Sequence, residues 1–364
     1  MSHENSLSQA SSLISNYPWT AKDLRSSSSQ WIHNLKPAEV IEVEQALAKL
    51  ISCGKPLLQC SPQDFPLPTL HKTLLRAMLI CETRTGVALL RNLPVEQLSE
   101  ADARLLAWGI GMHLGVPLIQ NSASQLLVDV RDSATGAQGL RKHTTNAAME
   151  FHVDSSDLAT VLCRRAAMQG GQSRIANMLT IHNQMGVENI EWQQALYEPL
   201  PFSALADDPD TQDQFFMCPV FSCEHGIFAA RFYEQRILAC RNFPEAPPLS
   251  GVVTDACEAF QRIANDPKNC FEFTLRPGDL QLLNNHVVCH ARRSFADHAA
   301  TDRKRHLFRQ WFATPFSRPL PESFREAYGR IEPGSYRGGY KAWTATPEII
   351  SCQKTIAEFT GVNF

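Results

Sequence analysis

A series of short apolar or alternating segments after Leu118 constrains the fold most strongly. Such segments occupy residues 125–130, 148–153, 158–164, 173–177, 227–232, 270–275, 280–283, 287–292 and 305–313, with turn residues between them. Short runs of this kind, bounded by turns, are typical of β-strands. Two helical segments, residues 179–194 and 255–264, interrupt the series. The pattern predicts a mainly β protein, a sandwich or barrel with flanking α-helices.

The region before Leu118 has a different, helical pattern. Residues 36–51, 70–81 and 99–114 carry apolar residues at helical spacing, and residues 86–91 form a short apolar strand. Residues 1–35 are rich in serine and predict a loosely ordered lead-in. Because no internal repeat or linker divides the remainder, we expect residues 36–364 to form one domain with an N-terminal helical layer.

Charge and hydropathy argue against several classes of partner. The chain has 34 Lys+Arg against 37 Asp+Glu, a formal net charge of −3, which gives no general attraction for nucleic acid or anionic lipid. It contains no run of about 18 apolar residues, the length that a membrane span needs. We therefore expect a small-molecule partner and neither nucleic acid nor membrane, and the sequence leaves open whether the chain forms a homo-oligomer.

The eleven cysteines are scattered rather than regularly spaced, and several lie in apolar strings. This is typical of buried free thiols in a reducing compartment, and it predicts a cytoplasmic protein. A zinc site at Cys218, Cys223 and His225 is the alternative for one group of them. Their spacing is not that of a known zinc motif and no fourth ligand is evident, so ordinary packing is the favoured interpretation.

His152 and Asp154 are the first candidates for a functional site. Side chains two residues apart on a strand point to the same face, so an imidazole and a carboxylate can converge there on one metal ion. The spacing alone is weak, because it often occurs by chance and a hydrogen-bonded histidine is the more common case.

A third ligand could follow the Pro-Gly-Asp turn at residues 277–279, which precedes another apolar strand. That strand region contains His286 and His290, and the pattern alone does not choose between them. His298 and His306 are further candidates. Each of these histidines, taken singly, is more often structural.

A strand at residues 305–313 would place Arg305, Leu307, Arg309 and Trp311 on one face. Arginines are expensive to bury without an anion, and a carboxylate ligand matches the guanidinium group well. The alternative is an outward face on which both arginines are solvated.

Taken together, these motifs resemble the Fe(II)/2-oxoglutarate-dependent dioxygenases of the taurine dioxygenase (TauD/TfdA) family. The resemblance covers about residues 86–312 and includes His152-x-Asp154, a distal histidine and Arg305-x-x-x-Arg309 in the family's order. Residues 170–173, Gly-Gly-Gln-Ser, are similar to the family's Gly-Gly-x-Thr/Ser strand.

The segment from Asn285 to Arg292 is similar to the family's Asn-Arg…His-x-Arg motif. This similarity favours His290 over His286 as the distal ligand. The chain departs from the best-known members in having Ser173 in place of threonine, which keeps the hydroxyl group, and His286 in place of arginine.

The resemblance implies a double-stranded β-helix, or jelly-roll, that binds Fe(II) through His152, Asp154 and His290. It also implies that Arg305 pairs with the far carboxylate of 2-oxoglutarate and that Ser173 donates a hydrogen bond to it. Arg309 would face an acidic group of the substrate, or else pair with a protein carboxylate.

The implied reaction consumes O2 and 2-oxoglutarate, releases succinate and carbon dioxide, and hydroxylates an unactivated C–H bond of a small, acidic or amino-acid-like molecule. Desaturation and ring formation use the same centre and remain alternatives, as does a non-redox metal-binding jelly-roll protein. A zinc hydrolase that uses His152, Asp154 and His290 is a further alternative, but the sequence contains no motif that would supply its general base. Residues 179–194 and 205–216 are expected to help cover the pocket.

Overall fold

The computed structural model describes residues 17–132, 144–204, 215–340 and 345–364. Its helices are α1 Ala21–Ser26, α2 Ser28–Trp31, α3 Pro37–Cys53, α4 Leu70–Thr83, α5 Glu100–Gly111, α6 Met178–Glu188, α7 Ile190–Ala195, α8 Glu234–Ala239, α9 Gly251–Asn265, α10 Arg325–Tyr328 and α11 Pro347–Thr360. Single 3-10 turns lie at Leu57–Gln59, Pro62–Asp64, Cys240–Asn242, Thr301–Arg303 and Glu322–Phe324.

The strands are β1 Ile32–Asn34, β2 Val87–Arg91, β3 Val116–Pro117, β4 Val128–Val130, β5 Met149–His152, β6 Leu158–Arg165, β7 Gln169–Gly170, β8 Ser173–Asn177, β9 Leu200–Ser203, β10 Phe215–Cys218, β11 Phe221–Glu224, β12 Ile227–Ala230, β13 Phe271–Phe273, β14 Leu280–Asn284, β15 Val288–Arg292, β16 Phe295–Ala296 and β17 His306–Ala313.

Two sheets form the centre of the fold. One has seven strands in the order β1-β2-β14-β6-β17-β3, with β4 paired to β17, and the other has four in the order β13-β8-β15-β5. All pairs in both sheets are antiparallel except β1 with β2. Neighbouring strands are mostly distant in sequence, as expected for the predicted jelly-roll.

The seven-stranded sheet is buried on both faces, which explains its nearly continuous apolar sequences. On β2, Val87 and Leu89 belong to the core that contains the four-stranded sheet, while Ala88 and Leu90 pack with the N-terminal helices. The predicted N-terminal helical layer is therefore present, formed by α3, α4 and α5 on the outer face of this sheet.

The lead-in differs from the expectation of loose order over residues 17–35. Trp19, Leu24 and Trp31 are buried in the main core, and the Trp31 indole N–H donates to the Leu24 carbonyl at 2.9 Å. Two tryptophans bury enough apolar surface to fix a short segment that contains few other apolar residues. Residues 1–16 lie outside the described residues.

The helical segment at residues 179–194, expected to cover the pocket, packs instead against α9. Helices α6, α7 and α9 contact one another, and Met178, Ile181 and Met185 lie in the main core. Residues 205–214 of the second expected lid lie outside the described residues, and Phe215 and Phe216 belong to β10.

The Pro-Gly-Asp turn before β14 forms as predicted. The Asp279 carboxylate accepts the backbone N–H of Arg276 at 3.0 Å, and Gly278 has a φ of 83°. A Cβ atom at Gly278 would lie 2.4 Å from the Leu93 carbonyl oxygen, so this position requires glycine.

Buried ion pairs attach the C-terminal region to helix α4 and to the segment between β5 and β6. Arg318 is fully buried and its Nε donates to Glu82 at the end of α4 at 2.7 Å. Arg337 is also buried, and its Nε donates to Asp157 at 2.8 Å. Within the described ranges, no helix combines the length and apolar character needed to cross a membrane.

Replacing Arg318 should destabilise the protein strongly, because it leaves the Glu82 carboxylate buried without its partner. We expect Arg318→Met to lower the free energy of unfolding by about 3–5 kcal/mol, measured by chemical denaturation. The control is Arg325→Met, which removes a solvent-exposed pair with Glu322 and should have a much smaller effect.

The double variant Glu82→Gln/Arg318→Met identifies the cause of the loss. If an uncompensated charge is responsible, the double variant is more stable than Arg318→Met. A double variant that is less stable than Arg318→Met contradicts this explanation.

Candidate metal centre and cosubstrate cleft

Strands β5 and β15 bring the predicted metal ligands together. His152 is the last residue of β5 and pairs in register with His290 of β15, and the centres of their rings are 4.4 Å apart. Asp154 follows two residues later, and its Oδ2 lies 3.7 Å from His290 Nε2. One ligand atom from each of the three residues lies within 4.8 Å of the other two.

The protonation states of this cluster suit a metal ion. Burial and the neighbouring His290 lower the pKa of His152 to about 3, and burial also lowers the pKa of His290. Burial raises the pKa of Asp154, but Arg309 and the two histidines outweigh it, so that this pKa is lowered. At neutral pH the cluster therefore offers two neutral imidazoles and one carboxylate, the forms that bind a metal.

The hydrogen bonds of His152 and Asp154 leave one atom of each side chain available to bind a metal ion. The Nδ1–H of His152 donates to the Glu150 carbonyl at 2.8 Å, which leaves the Nε2 lone pair for a ligand. Asp154 Oδ2 is buried and has no hydrogen-bond partner among the described residues. A buried carboxylate oxygen without a partner is costly, and a bound cation would satisfy it. The cluster thus fits a first-row metal ion.

Two neighbours hold Asp154 in place. Asn285 Oδ1 accepts the backbone N–H of Asp154 at 3.1 Å, and Arg309 Nη1 lies 3.5 Å from Asp154 Oδ1. The Arg309 guanidinium also donates to Gln120 and lies over the Trp311 ring at 4.8 Å. Arg309 thus contacts a protein carboxylate in this structure.

The other candidate histidines have different surroundings. His286 is fully buried, and its Nε2 lies 2.9 Å from Asp157 Oδ1, on the same carboxylate that binds Arg337. His298 belongs to neither of the metal-binding groups found among the described residues, and the same holds for the set of Cys218, Cys223 and His225.

His306 joins Glu100 and Asp129 in a second acidic group whose ligand atoms are close together. His306 Nε2 lies 2.7 Å from Asp129 Oδ1. Arginines already neutralise both carboxylates: Arg104 pairs with Asp129, and Arg131 and Arg164 pair with Glu100. This group is an ion-pair network rather than a competing metal site.

A small cleft of about 70 Å³, partly open to solvent, lies beside the metal cluster between the two sheets. Both histidines of the cluster line it, and its polar wall residues are Ser173, Gln281, Arg292, Arg305 and Arg309. Apolar side chains complete the walls. Such a mixture suits a small ligand with charged ends and an apolar middle.

Arg305 is a buried cation at this cleft, 6 % exposed. Its guanidinium stacks on Phe295 at 4.9 Å, and Nη1 has no hydrogen-bond partner among the described residues. Burial and the nearby Arg292 lower its pKa to about 10, so it remains charged at neutral pH. Gly171 gives it room, because a Cβ there would lie 3.2 Å from Arg305 Nε. A buried, partly unpaired guanidinium favours an anionic ligand.

Sequence reasoning missed Gln281, which is 2 % exposed and faces the cleft. The sequence does contain an indication of its role, because Gln281 is the one polar residue in the apolar run from Leu280 to Leu283. Gln120 and Arg337 were also missed. Their contacts depend on segments far apart in the sequence, which a motif search does not bring together.

Comparison with known proteins identifies the family. The model of the "Taurine catabolism dioxygenase TauD, TfdA family" matches residues 54–311. FR-33289 synthase from Streptomyces rubellomurinus is 27% identical over 306 residues, 81% of this chain and 88% of that protein. Uridine-5'-phosphate dioxygenase from Amycolatopsis sp is 24% identical over 227 residues, 58% of this chain and 80% of that protein.

The fold is shared with solved oxygenases. The structure of asparagine oxygenase in complex with Fe(II), 2S,3S-3-hydroxyasparagine and succinate superposes with a TM-score of 0.60 at 18% identity, over 78% of this chain and 93% of that chain. The predicted jelly-roll fold is thereby confirmed. The match to the family model, whose members use Fe(II), 2-oxoglutarate and O2, confirms the predicted cofactors. The chain belongs to the TauD/TfdA family of iron- and 2-oxoglutarate-dependent dioxygenases.

Proposed function

We propose that this protein hydroxylates an unactivated C–H bond of a small anionic molecule and converts 2-oxoglutarate to succinate and carbon dioxide. One observation carries the proposal. The buried cluster of His152, Asp154 and His290, with an unpaired carboxylate oxygen, lies beside a cleft that contains the partly unpaired guanidinium of Arg305.

The metal ligands in this proposal are His152, Asp154 and His290. Iron bound there would supply, with O2 and 2-oxoglutarate, the oxidant that removes a hydrogen atom from the substrate. The chain's own contribution is to hold three ligands on one side of the ion, which leaves the other side for small molecules. Arg309 and Asn285 keep the Asp154 carboxylate turned toward the histidines.

Arg305 is the counter-charge for the far carboxylate of 2-oxoglutarate, and Ser173 contributes to the same wall of the cleft. Arg305 is charged, buried and short of hydrogen-bond acceptors, which is the condition that a carboxylate relieves. The apolar side chains of Val161, Leu275 and Leu283 line the space where the methylene groups of the cosubstrate would lie.

An anionic substrate is supported by the excess of positive charge. Arg292, Arg305 and Arg309 line the cleft, and Asp154 is the acidic member of the metal cluster beside it. Relatives named for asparagine and for uridine-5'-phosphate act on small molecules that carry acidic groups.

Family membership favours this function over a non-redox metal-binding protein. Desaturation and ring formation remain the alternative outcomes, and analysis of the product distinguishes them. The cysteines are mostly buried and form no disulfide among the described residues, which supports a cytoplasmic location. The near-neutral net charge supports a small-molecule partner rather than nucleic acid.

The function is tested by a screen for succinate release. The purified chain with Fe(II), ascorbate and 2-oxoglutarate is incubated with amino acids, sulfonates, nucleoside phosphates and amines, and succinate is measured. We expect an anionic compound to stimulate release and to gain one oxygen atom by mass spectrometry. Arg305→Ala should weaken 2-oxoglutarate binding by about 10- to 150-fold, since a charge-assisted contact is worth roughly 1.5–3 kcal/mol.

Two results contradict this proposal. One is wild-type protein that releases no succinate, either with any compound of the screen or without one. The other is equal affinity of the wild type and of Arg305→Ala for 2-oxoglutarate.

The metal assignment predicts which histidines are needed for iron. We expect His152→Ala and His290→Ala to lose bound iron, measured per chain by atomic emission after anaerobic loading. His286→Gln is the matched control, because His286 contacts Asp157 and should not affect the metal. Retention of iron by His290→Ala, together with its loss from His286→Gln, would show that the distal ligand is wrongly assigned.

We expect Arg309 to contact the primary substrate in addition to Asp154. Once a substrate is found, Arg309→Ala should raise its KM while decarboxylation of 2-oxoglutarate in the absence of substrate continues. Arg309→Lys, which keeps the charge, should be affected less. If Arg309→Ala also loses the decarboxylation that occurs without substrate, Arg309 acts only in cosubstrate binding or in holding Asp154.

A further inference from the structure

A polar pair spans the two sheets at the wall of the cleft. Ser173 lies on β8 of the four-stranded sheet and Gln281 on β14 of the seven-stranded sheet. The Ser173 hydroxyl donates to Gln281 Oε1 at 3.0 Å. Both residues line the cleft, and every neighbour of Gln281 within β14 except Asn284 is apolar.

In the structure the Gln281 amide is turned with its oxygen toward the Ser173 hydroxyl. Because Oε1 accepts from Ser173, the two amide protons on Nε2 point elsewhere. Gln281 Nε2 is buried and has no hydrogen-bond partner among the described residues. Burying an amide donor without an acceptor costs roughly 1–3 kcal/mol, so this position favours a ligand that accepts a hydrogen bond.

The register of the seven-stranded sheet and the lining of the cleft show where Gln281 lies. Gln281 pairs in register with Val161 of β6, and Val161 pairs with Arg309 of β17, so Gln281 and Arg309 lie on one row of the sheet with one strand between them. Arg305 reaches the same cleft beside Gly171, two residues before Ser173. The Arg305 guanidinium and the Gln281 amide therefore line the same cleft.

We propose that Gln281 donates a hydrogen bond from Nε2 to the far carboxylate of 2-oxoglutarate, and that Ser173 positions this amide instead of contacting the cosubstrate. The inference rests on the proposed function. It gives the far carboxylate a charged partner, Arg305, and a neutral partner of fixed direction, Gln281. The role of Ser173 then differs from the direct contact that the family resemblance implied.

Two 2-oxo acids test this role on the full chain. 2-Oxopentanoate has the same carbon chain as 2-oxoglutarate and lacks the far carboxylate. Affinity for each acid is measured by calorimetry with Mn(II) in place of iron, without oxygen. We expect Gln281→Leu to weaken 2-oxoglutarate binding about 10-fold, and to leave 2-oxopentanoate binding nearly unchanged. Gln281→Glu keeps the shape, adds a like charge, and should weaken 2-oxoglutarate binding further.

A double-mutant cycle separates positioning from direct contact. If Ser173 acts through Gln281, Ser173→Ala weakens 2-oxoglutarate binding, but Ser173→Ala/Gln281→Leu binds no more weakly than Gln281→Leu alone. Ser173→Thr keeps the hydroxyl group and should bind like the wild type.

Three results overturn the inference. The first is wild-type affinity for 2-oxoglutarate in both Gln281→Leu and Gln281→Glu, and the second is an equal loss for both 2-oxo acids. The third is a double variant weaker than either single variant, which would assign Ser173 a contact of its own. A wild type that binds no 2-oxoglutarate, or one that Arg305→Ala does not weaken, instead refutes the proposed function.

Discussion

The antiparallel pairing of β5 with β15 determines where chemistry can occur in this protein. It places His152 directly opposite His290, although the two residues are far apart in the sequence. Strand β15 also pairs with β8, so the same sheet carries Ser173 at its other side. The seven-stranded sheet faces these residues with Gln281 and the Arg309 of β17. A jelly-roll thus brings together, between two sheets, side chains from strands that are far apart in the sequence.

Buried charge explains how the cleft remains ready for anions. Asp154 and Asp157 each have an arginine partner, Arg309 and Arg337, so the loop that follows β5 is held from two directions. Within the described part of the chain, no carboxylate is hydrogen-bonded to Arg305 Nη1, and the cost of burying Arg305 is offset in part by stacking on Phe295. In the proposed function, the far carboxylate of 2-oxoglutarate supplies the anionic partner that Arg305 lacks among the described residues.

The fold class was predictable because it follows from short-range patterns, and the resemblance to the family's motifs singled out His152, Asp154 and His290 as a candidate metal site. His152 and Asp154 share a face at a spacing of two residues, and alternation identified most of the central strands. Long-range contacts were not predictable: the pairing of Arg337 with Asp157, and the bond from Ser173 to Gln281, depend on the packing of distant segments. The prediction of loose order was wrong over residues 17–35, because composition does not indicate that Trp19 and Trp31 are buried in the core.

A structure of the protein with Fe(II) and 2-oxoglutarate, determined without oxygen, tests the central claim most directly. The account predicts one iron bound by His152, Asp154 and His290, with the far carboxylate of 2-oxoglutarate within hydrogen-bond distance of Arg305. An iron bound at the group of Glu100, Asp129 and His306, or a cosubstrate whose far carboxylate points away from Arg305, would contradict it.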